Sequence, residues 1–192
     1  PEIDTGVHVM MVIDYAAARQ FSLKVRFAAL MHDLGKGTTP PEQWPRHAGH
    51  EIRGMAIVEA LCERLRVPGE AKALALLVTR LHGEVHHALK LAASDIATIL
   101  QSTDAYRRPA RFDAFLQACA SDFHGRPGFA QQDYQQMTHL QRALEAARQV
   151  DASAIASQLQ QNHAGDRNLP MLINQRIYAA RVDAINALLQ RS

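Results

Sequence analysis

The chain has 192 residues, 47% of them apolar and 21% charged, with 21 Lys plus Arg against 19 Asp plus Glu. An ordinary apolar share with a formal net charge of only +2 excludes a disordered segment and argues against a purely electrostatic nucleic-acid binder. No apolar run approaches the about 18 residues that a membrane-spanning helix needs, and residues 1–25 do not read as a signal peptide.

Two cysteines, Cys62 and Cys119, cannot build a disulfide framework, so a reducing cytoplasm is the expected compartment. The opening Pro1-Glu2, without an initiator Met, predicts part of a longer protein. The periodicity is helical nearly throughout, and alternating Val/Ile/Thr runs of strand type are missing, so the expected class is all-α. The spacing predicts helices over Val7–Gln20 and Leu23–Gly35, the second stopped by Gly35-Lys36-Gly37. Three prolines between Thr38 and Arg46 demand a loop. Further helices are expected over His50–Leu65, then Glu70–His82 with Gly83 as its stop, then from a Ser94 cap to Tyr106. Ala110–Ala120, Asp133–Val150, Ala152–Gln160 and Leu172–Leu189 complete the series. The loop at 121–132, with Gly125-Arg126-Pro127-Gly128, reads as a boundary. It divides a compact bundle (residues 1–122) from a C-terminal helical tail (residues 123–192).

Ten histidines are the unusual feature. His8, the pair His32-Asp33, His47, His50, His82 and Asp104 each lie beside an apolar stripe or a helix end. Ionisable groups in such places are costly unless paired or bound to metal. Imidazole and carboxylate are good ligands for divalent first-row ions, and convergence of these residues on one cavity would explain all of them. The remaining histidines, including His86, His87, His124, His139 and His163, read as surface or locally bonded residues by default. Trp44 in the proline loop either packs over the bundle or stacks on a nucleobase.

The order His8, His32-Asp-Leu-Gly-Lys36, His50-Glu-x-x-Gly54, His82 and Asp104 resembles the HD superfamily of metal-dependent phosphohydrolases, which are helical bundles. The stretch from His32 through Pro40-Pro41-Glu-Gln-Trp44 to His50 is similar to the HD domain of bacterial CCA-adding tRNA nucleotidyltransferases. So are Ser102-Thr-Asp-Ala-Tyr-Arg-Arg-Pro109 and Cys119-Ala-Ser-Asp-Phe-His-Gly-Arg126. The resemblance covers residues 1 to about 150 and weakens beyond. It implies metal ligation by His8, His32, Asp33 and Asp104, with His47, His50 and His82 lining the site for a second ion or the substrate. It implies 2′,3′-cyclic phosphodiesterase, 2′-nucleotidase and phosphatase activity, with nickel or magnesium as the ion and cobalt or manganese as alternatives. Asp33, Lys36 and His82 are the expected catalytic residues, Lys36 or Arg46 offsetting phosphate charge and His82 protonating the leaving oxygen. Partners implied are the tRNA 3′ end and 2′,3′-cyclic or 2′-phosphate nucleotides, with Arg107, Arg108 and Arg126 as candidate RNA contacts and a homodimer as one assembly.

Nucleotidyl transfer needs a Gly-Ser turn and an Asp-x-Asp carboxylate pair, and the chain contains neither. By the resemblance, the head that adds CCA would precede Pro1. A different class of reading also stands: a tRNA-binding helical module whose histidine site is vestigial. A regulatory phosphodiesterase for signalling nucleotides is disfavoured, because the proline loop and the Cys119–Arg126 motif resemble the tRNA enzymes.

Overall fold

The computed structural model describes residues 4–163 and 165–191. Among them the chain forms nine α-helices and no strand, as the all-α reading requires: α1 (Thr5–Ala18), α2 (Leu23–Met31), α3 (His50–Arg64), α4 (Gly69–His86), α5 (Ala93–Ser102), α6 (Pro109–His124), α7 (Gln135–Arg148), α8 (Ala152–Asn162) and α9 (Leu169–Leu189). No helix among the described residues is long and apolar enough to cross a membrane.

Several boundaries differ from those expected, each for a local reason. Asp4 starts α1 earlier, because its carboxylate accepts the Gly6 and Val7 amides at 2.7 and 3.1 Å. Gly35 does not stop α2 by adopting a left-handed conformation. The helix ends at Met31, and Gly35 sits buried in a 3-10 turn, Leu34–Thr38. Ala92, not Ser94, is the residue that caps α5. Gly83 fails to end α4, which continues through it to His86. A glycine inside a helix costs only about 1 kcal/mol, and here a side chain at 83 would approach Glu51 Oε1 at 3.1 Å.

The helices gather into two units. One comprises residues up to His87 with Pro109–Met137; the other comprises Ala88–Arg108 and the residues from Thr138 on. The contacts therefore do not divide the chain by a single cut after residue 122. The chain leaves the first unit for α5, whose Ile96, Ile99 and Leu100 are buried and which packs on α9 in the second unit, and returns to the first for α6.

In the first unit α2 packs against α1, α4 and α6, and α3 lies on α4 and on the 3-10 turn. Its core is built from Val12 and Ala16, Val25, Ala28 and Ala29, Val58, Leu74 and Val78, and Phe112, Phe115 and Leu116, all fully or almost fully buried. Ala118 on α6 is fully buried within it as well, like Ala28 and Ala29 on α2. In the second unit α8 packs on α9, the Tyr178 hydroxyl donates to the Ser94 carbonyl at 3.0 Å, and Arg181 lies over the Tyr106 ring at 3.7 Å.

Candidate metal centre

Each side chain of the site continues an apolar stripe. On α1, His8 precedes Val12 and Ala16 at four-residue steps, which face one side of a helix. His82 and His86 continue Leu74 and Val78 on α4 in the same way, and Asp122 follows Phe115 and Ala118 on α6. His32 and Asp33 lie at the end of α2, and His50 opens α3. Five of these polar residues are no more than 5% exposed: His8, His32, Asp33, His82 and Asp122.

Two carboxylates organise the cluster. Asp33 has His32 Nε2 at 3.1 Å from Oδ2, with His50 Nε2 at 3.1 Å and His82 Nε2 at 3.5 Å from Oδ1. Lys36 Nζ lies 2.6 Å from Asp33 Oδ2. Around Asp122 stand His8 Nε2 at 3.0 Å, His32 Nε2 at 3.6 Å, His86 Nε2, and Arg126 Nη2 at 3.4 Å.

The backbone decides which ring nitrogen is free to bind an ion. Nδ1 of His32 donates to the Ala29 carbonyl at 2.6 Å, that of His50 to His47 at 3.1 Å, and that of His82 to Val78 at 3.0 Å. A carbonyl can only accept, so each neutral ring carries its hydrogen on Nδ1 and turns an Nε2 lone pair to the carboxylates. Without an ion, the charged His32 imidazole carries a second proton at Nε2, toward Asp33 Oδ2 and Asp122 Oδ1, and a bound ion would take that proton's place. His50 Nε2 and His82 Nε2 face each other at 3.3 Å, an arrangement that either a proton on one of the two rings or a shared cation satisfies. A divalent ion fits this donor set. Three groups have donor atoms close enough to share one: His8, His32 and Asp33; His32, His82 and Asp122; Asp33, His50 and His82.

The cluster thus joins most of the expected residues and corrects others. Asp104 is not in it. That residue belongs to the second unit, in a turn at φ 56, with its carboxylate beside Arg107 Nε (2.6 Å) and Arg108 Nε (3.5 Å). The carboxylate from the later part of the chain is Asp122, which continues the Phe115–Ala118 stripe and belongs to the Cys119–Arg126 motif but is not among the expected ligands. His86 is likewise no surface residue. One ring nitrogen of His86 meets Asp122 and the other takes the Tyr134 hydroxyl at 2.9 Å. An acceptor-only carboxylate requires the hydrogen on His86 Nε2, so Tyr134 donates to Nδ1. Burial lowers the His86 pKa, keeping it a neutral donor to Asp122. His47 lies outside the cluster with Nδ1 buried and unbonded. His124 stacks on Tyr15, and His87 is exposed. Of the candidate RNA contacts, Arg107 and Arg108 flank Asp104 with most of their side chains exposed, whereas Arg126 is engaged with Asp122.

Electrostatics link this centre to pH. Burial opposes charge on His32, but the Asp33 and Asp122 carboxylates outweigh it and hold the imidazole well above the ordinary histidine value. Burial likewise opposes charge on Asp33 and Asp122, yet His32 and its neighbours pull both far below the usual carboxylate range. The raised His32 value contributes stability that is complete below about pH 6.5 and is lost as pH rises through the folded value. The depressed Asp values contribute above about pH 4 and are lost as pH falls through theirs. A divalent ion must displace the His32 proton, so its stabilisation runs the other way and grows with pH. A divalent ion that this set binds should, at about 100 times its Kd, add about 2.7 kcal/mol, or about 5–10 °C in Tm. Melting curves with and without nickel should show a larger gain at about pH 8 than at about pH 6. A gain that is flat or falling with pH would remove His32 from the ligand set.

The arrangement of paired histidine and aspartate at the end of one helix, with imidazoles and a second carboxylate brought from its neighbours, defines a helical domain whose buried donors could hold a divalent ion. The model of the HD domain family matches residues 5–109, and the chain belongs to that family. Asp122 lies beyond the matched segment. Over 189 residues, 98% of the chain, it is 67% identical to the "Multifunctional CCA protein" of Nitrosomonas eutropha and 66% identical to that of Nitrosomonas europaea, covering 46% of each. The protein of the same name from Burkholderia vietnamiensis is 51% identical over 189 residues, 98% of the chain and 44% of the relative. The chain thus spans about half the length of the curated relatives it matches. No solved structure matches it.

Proposed function

We propose that the chain is the metal-dependent phosphohydrolase part of a CCA-adding tRNA nucleotidyltransferase. It hydrolyses 2′,3′-cyclic and 2′-phosphate nucleotide ends and small phosphate esters. The observation that carries this reading is the set of Nε2 lone pairs, fixed by backbone carbonyls and directed at two buried carboxylates. A vestigial site would have no need to keep so many costly polar groups buried together, which disfavours a purely tRNA-binding module.

His8, His32, Asp33 and Asp122 are the proposed ligands of a divalent ion, with His50 and His82 facing a second ion or the substrate. A donor set this rich in imidazole favours nickel over magnesium, with cobalt and manganese as alternatives. When bound, the ion supplies an acidified water and stabilises charge on the phosphoryl group. Lys36 balances the negative charge of the phosphate at the Asp33 edge. His82, whose Nδ1 is spent on Val78, exchanges its proton at Nε2 and gives it to the leaving oxygen. His86, held by Tyr134, orients Asp122. The relatives' shared name, "Multifunctional CCA protein", fits the tRNA 3′ end as the proposed partner and the cytoplasm as the proposed compartment.

Two assays on one preparation test the reading. The chain should release product from 2′,3′-cyclic AMP with added nickel, cobalt, manganese or magnesium, and lose that activity to a chelator. It should incorporate no CTP or ATP into tRNA, since Gly-Ser and Asp-x-Asp are absent from it. Inertness with all four ions would leave the binding module as the better account.

A further inference from the structure

Asp33 and Lys36 also line an open cavity of about 850 Å³, and the rest of its wall is largely apolar. Met10, Leu30 and Trp44 belong to that wall and are 61%, 39% and 61% exposed, large apolar groups left in water beside a charged centre. Scattered exposed apolar residues need no explanation, but a group of them lining one cavity marks a ligand site.

Trp44 is held in a particular way. Its Nε1–H donates to the Thr39 carbonyl at 3.0 Å, so the polar edge of the indole is already used. Thr39 is buried, and its hydroxyl accepts Arg53 Nη2 at 2.8 Å while Arg53 Nη1 donates to Ala48 at 2.7 Å. The proline loop is thereby tied to α3, and the indole is left with its π faces for contact. For a phosphate ester with its phosphate at Lys36 and Asp33, this cavity is the adjoining space for its other half. The chemistry that an anchored indole and a thioether recognise is a flat aromatic ring. In a phosphate ester that ring is a nucleobase, whose stacking tolerates any base identity.

We propose that Trp44, with Met10, is the base-binding wall of the site and makes it select nucleotide esters over phosphate esters that carry no base. This rests on the phosphohydrolase reading above, and the two can fail separately. Trp44 is the chain's single tryptophan, so intrinsic fluorescence reports the wall without any turnover. AMP should quench it saturably in the presence of magnesium, and ribose 5-phosphate should not. Where hydrolysis is present, Trp44→Ala should lower the preference for 2′,3′-cyclic AMP over glycerol 1,2-cyclic phosphate about tenfold. That loss should lie in the KM for the nucleotide, and Trp44→Phe should recover most of it. Equal quenching by AMP and ribose 5-phosphate, no quenching by either, or an unchanged preference in Trp44→Ala would overturn the proposal. Absent hydrolysis with selective quenching by AMP would overturn the enzymatic reading and leave the base-binding wall standing.

Discussion

Asp122→Asn is expected to reduce metal-dependent hydrolysis of 2′,3′-cyclic AMP by about 100-fold or more, with bound nickel falling in parallel. The amide is nearly the same size but offers one neutral acceptor where His8, His32, His86 and Arg126 meet a carboxylate. Its NH₂ would also oppose the Nε2–H that His86 directs at this position. Asp104→Asn should leave both hydrolysis and metal content within about twofold, since its partners Arg107 and Arg108 are mostly exposed and such pairs contribute little. Steady-state rates and metal content of the two variants decide the point. An active Asp122→Asn protein, or an inactive Asp104→Asn protein, would return the assignment to the carboxylate expected from the sequence.

Gly35→Ala should destabilise the chain by about 3 kcal/mol or more, a fall of about 6–12 °C in Tm. A Cβ at this position would lie 1.9 Å from the His50 carbonyl oxygen, 2.7 Å from the Gly54 amide nitrogen and 2.9 Å from the His50 carbonyl carbon. All three are backbone atoms, so no side-chain rotation relieves the overlap and the start of α3 must move. His50 moves with it, away from Asp33 Oδ1. Gly37→Ala in the same turn meets nothing within 4 Å and should change Tm only slightly, upward if at all. Thermal melts of the pair separate a steric requirement from a general preference for glycine in this turn. Equal effects would show that the contact of the turn with α3 is not what Gly35 protects.

The residues around His32 show how far periodicity carries. The stripe His8, Val12, Ala16 and the stripe Leu74, Val78, His82 are visible in the chain as written, because a helix repeats every 3.6 residues and a polar residue in step with an apolar stripe must be buried. Those stripes supply the helical class and most helix positions; together with the helix ends they supply His8, His32, Asp33, His47, His50, His82 and Asp104 as candidates, while their roles come from the resemblance to HD domains. The same rule contained Asp122 on the Phe115–Ala118 stripe and His86 one turn beyond His82. Asp122 was displaced by Asp104, which also follows apolar residues, Ile99 and Leu100. His86 has no counterpart in the family resemblance and reads by default as a surface histidine, beyond the expected helix end at Gly83. Glycine weakens a helix by about 1 kcal/mol, an amount that packing of Val78, Leu81 and Val85 readily outweighs.

The sequence by itself therefore determined the helices, the absence of an apolar spanning segment, and a pool of histidines and aspartates in phase with the core. Local spacing is enough for these, since each depends on neighbours within one or two turns. Which aspartate completes the centre was decided only by the tertiary structure. Asp104 and Asp122 have similar apolar approaches, and they differ in where the chain goes between them: α5 leaves the first unit to pack on α9, and α6 returns to pack on α1, α2 and α4. The free ring nitrogen of each histidine was decided there too, because it depends on which carbonyl lies within reach of Nδ1. So was the role of Gly35, because a Cβ clash with His50 and Gly54 exists only once α3 rests on the turn. Contacts between residues far apart in the chain set these features, and no pattern within a helix encodes them.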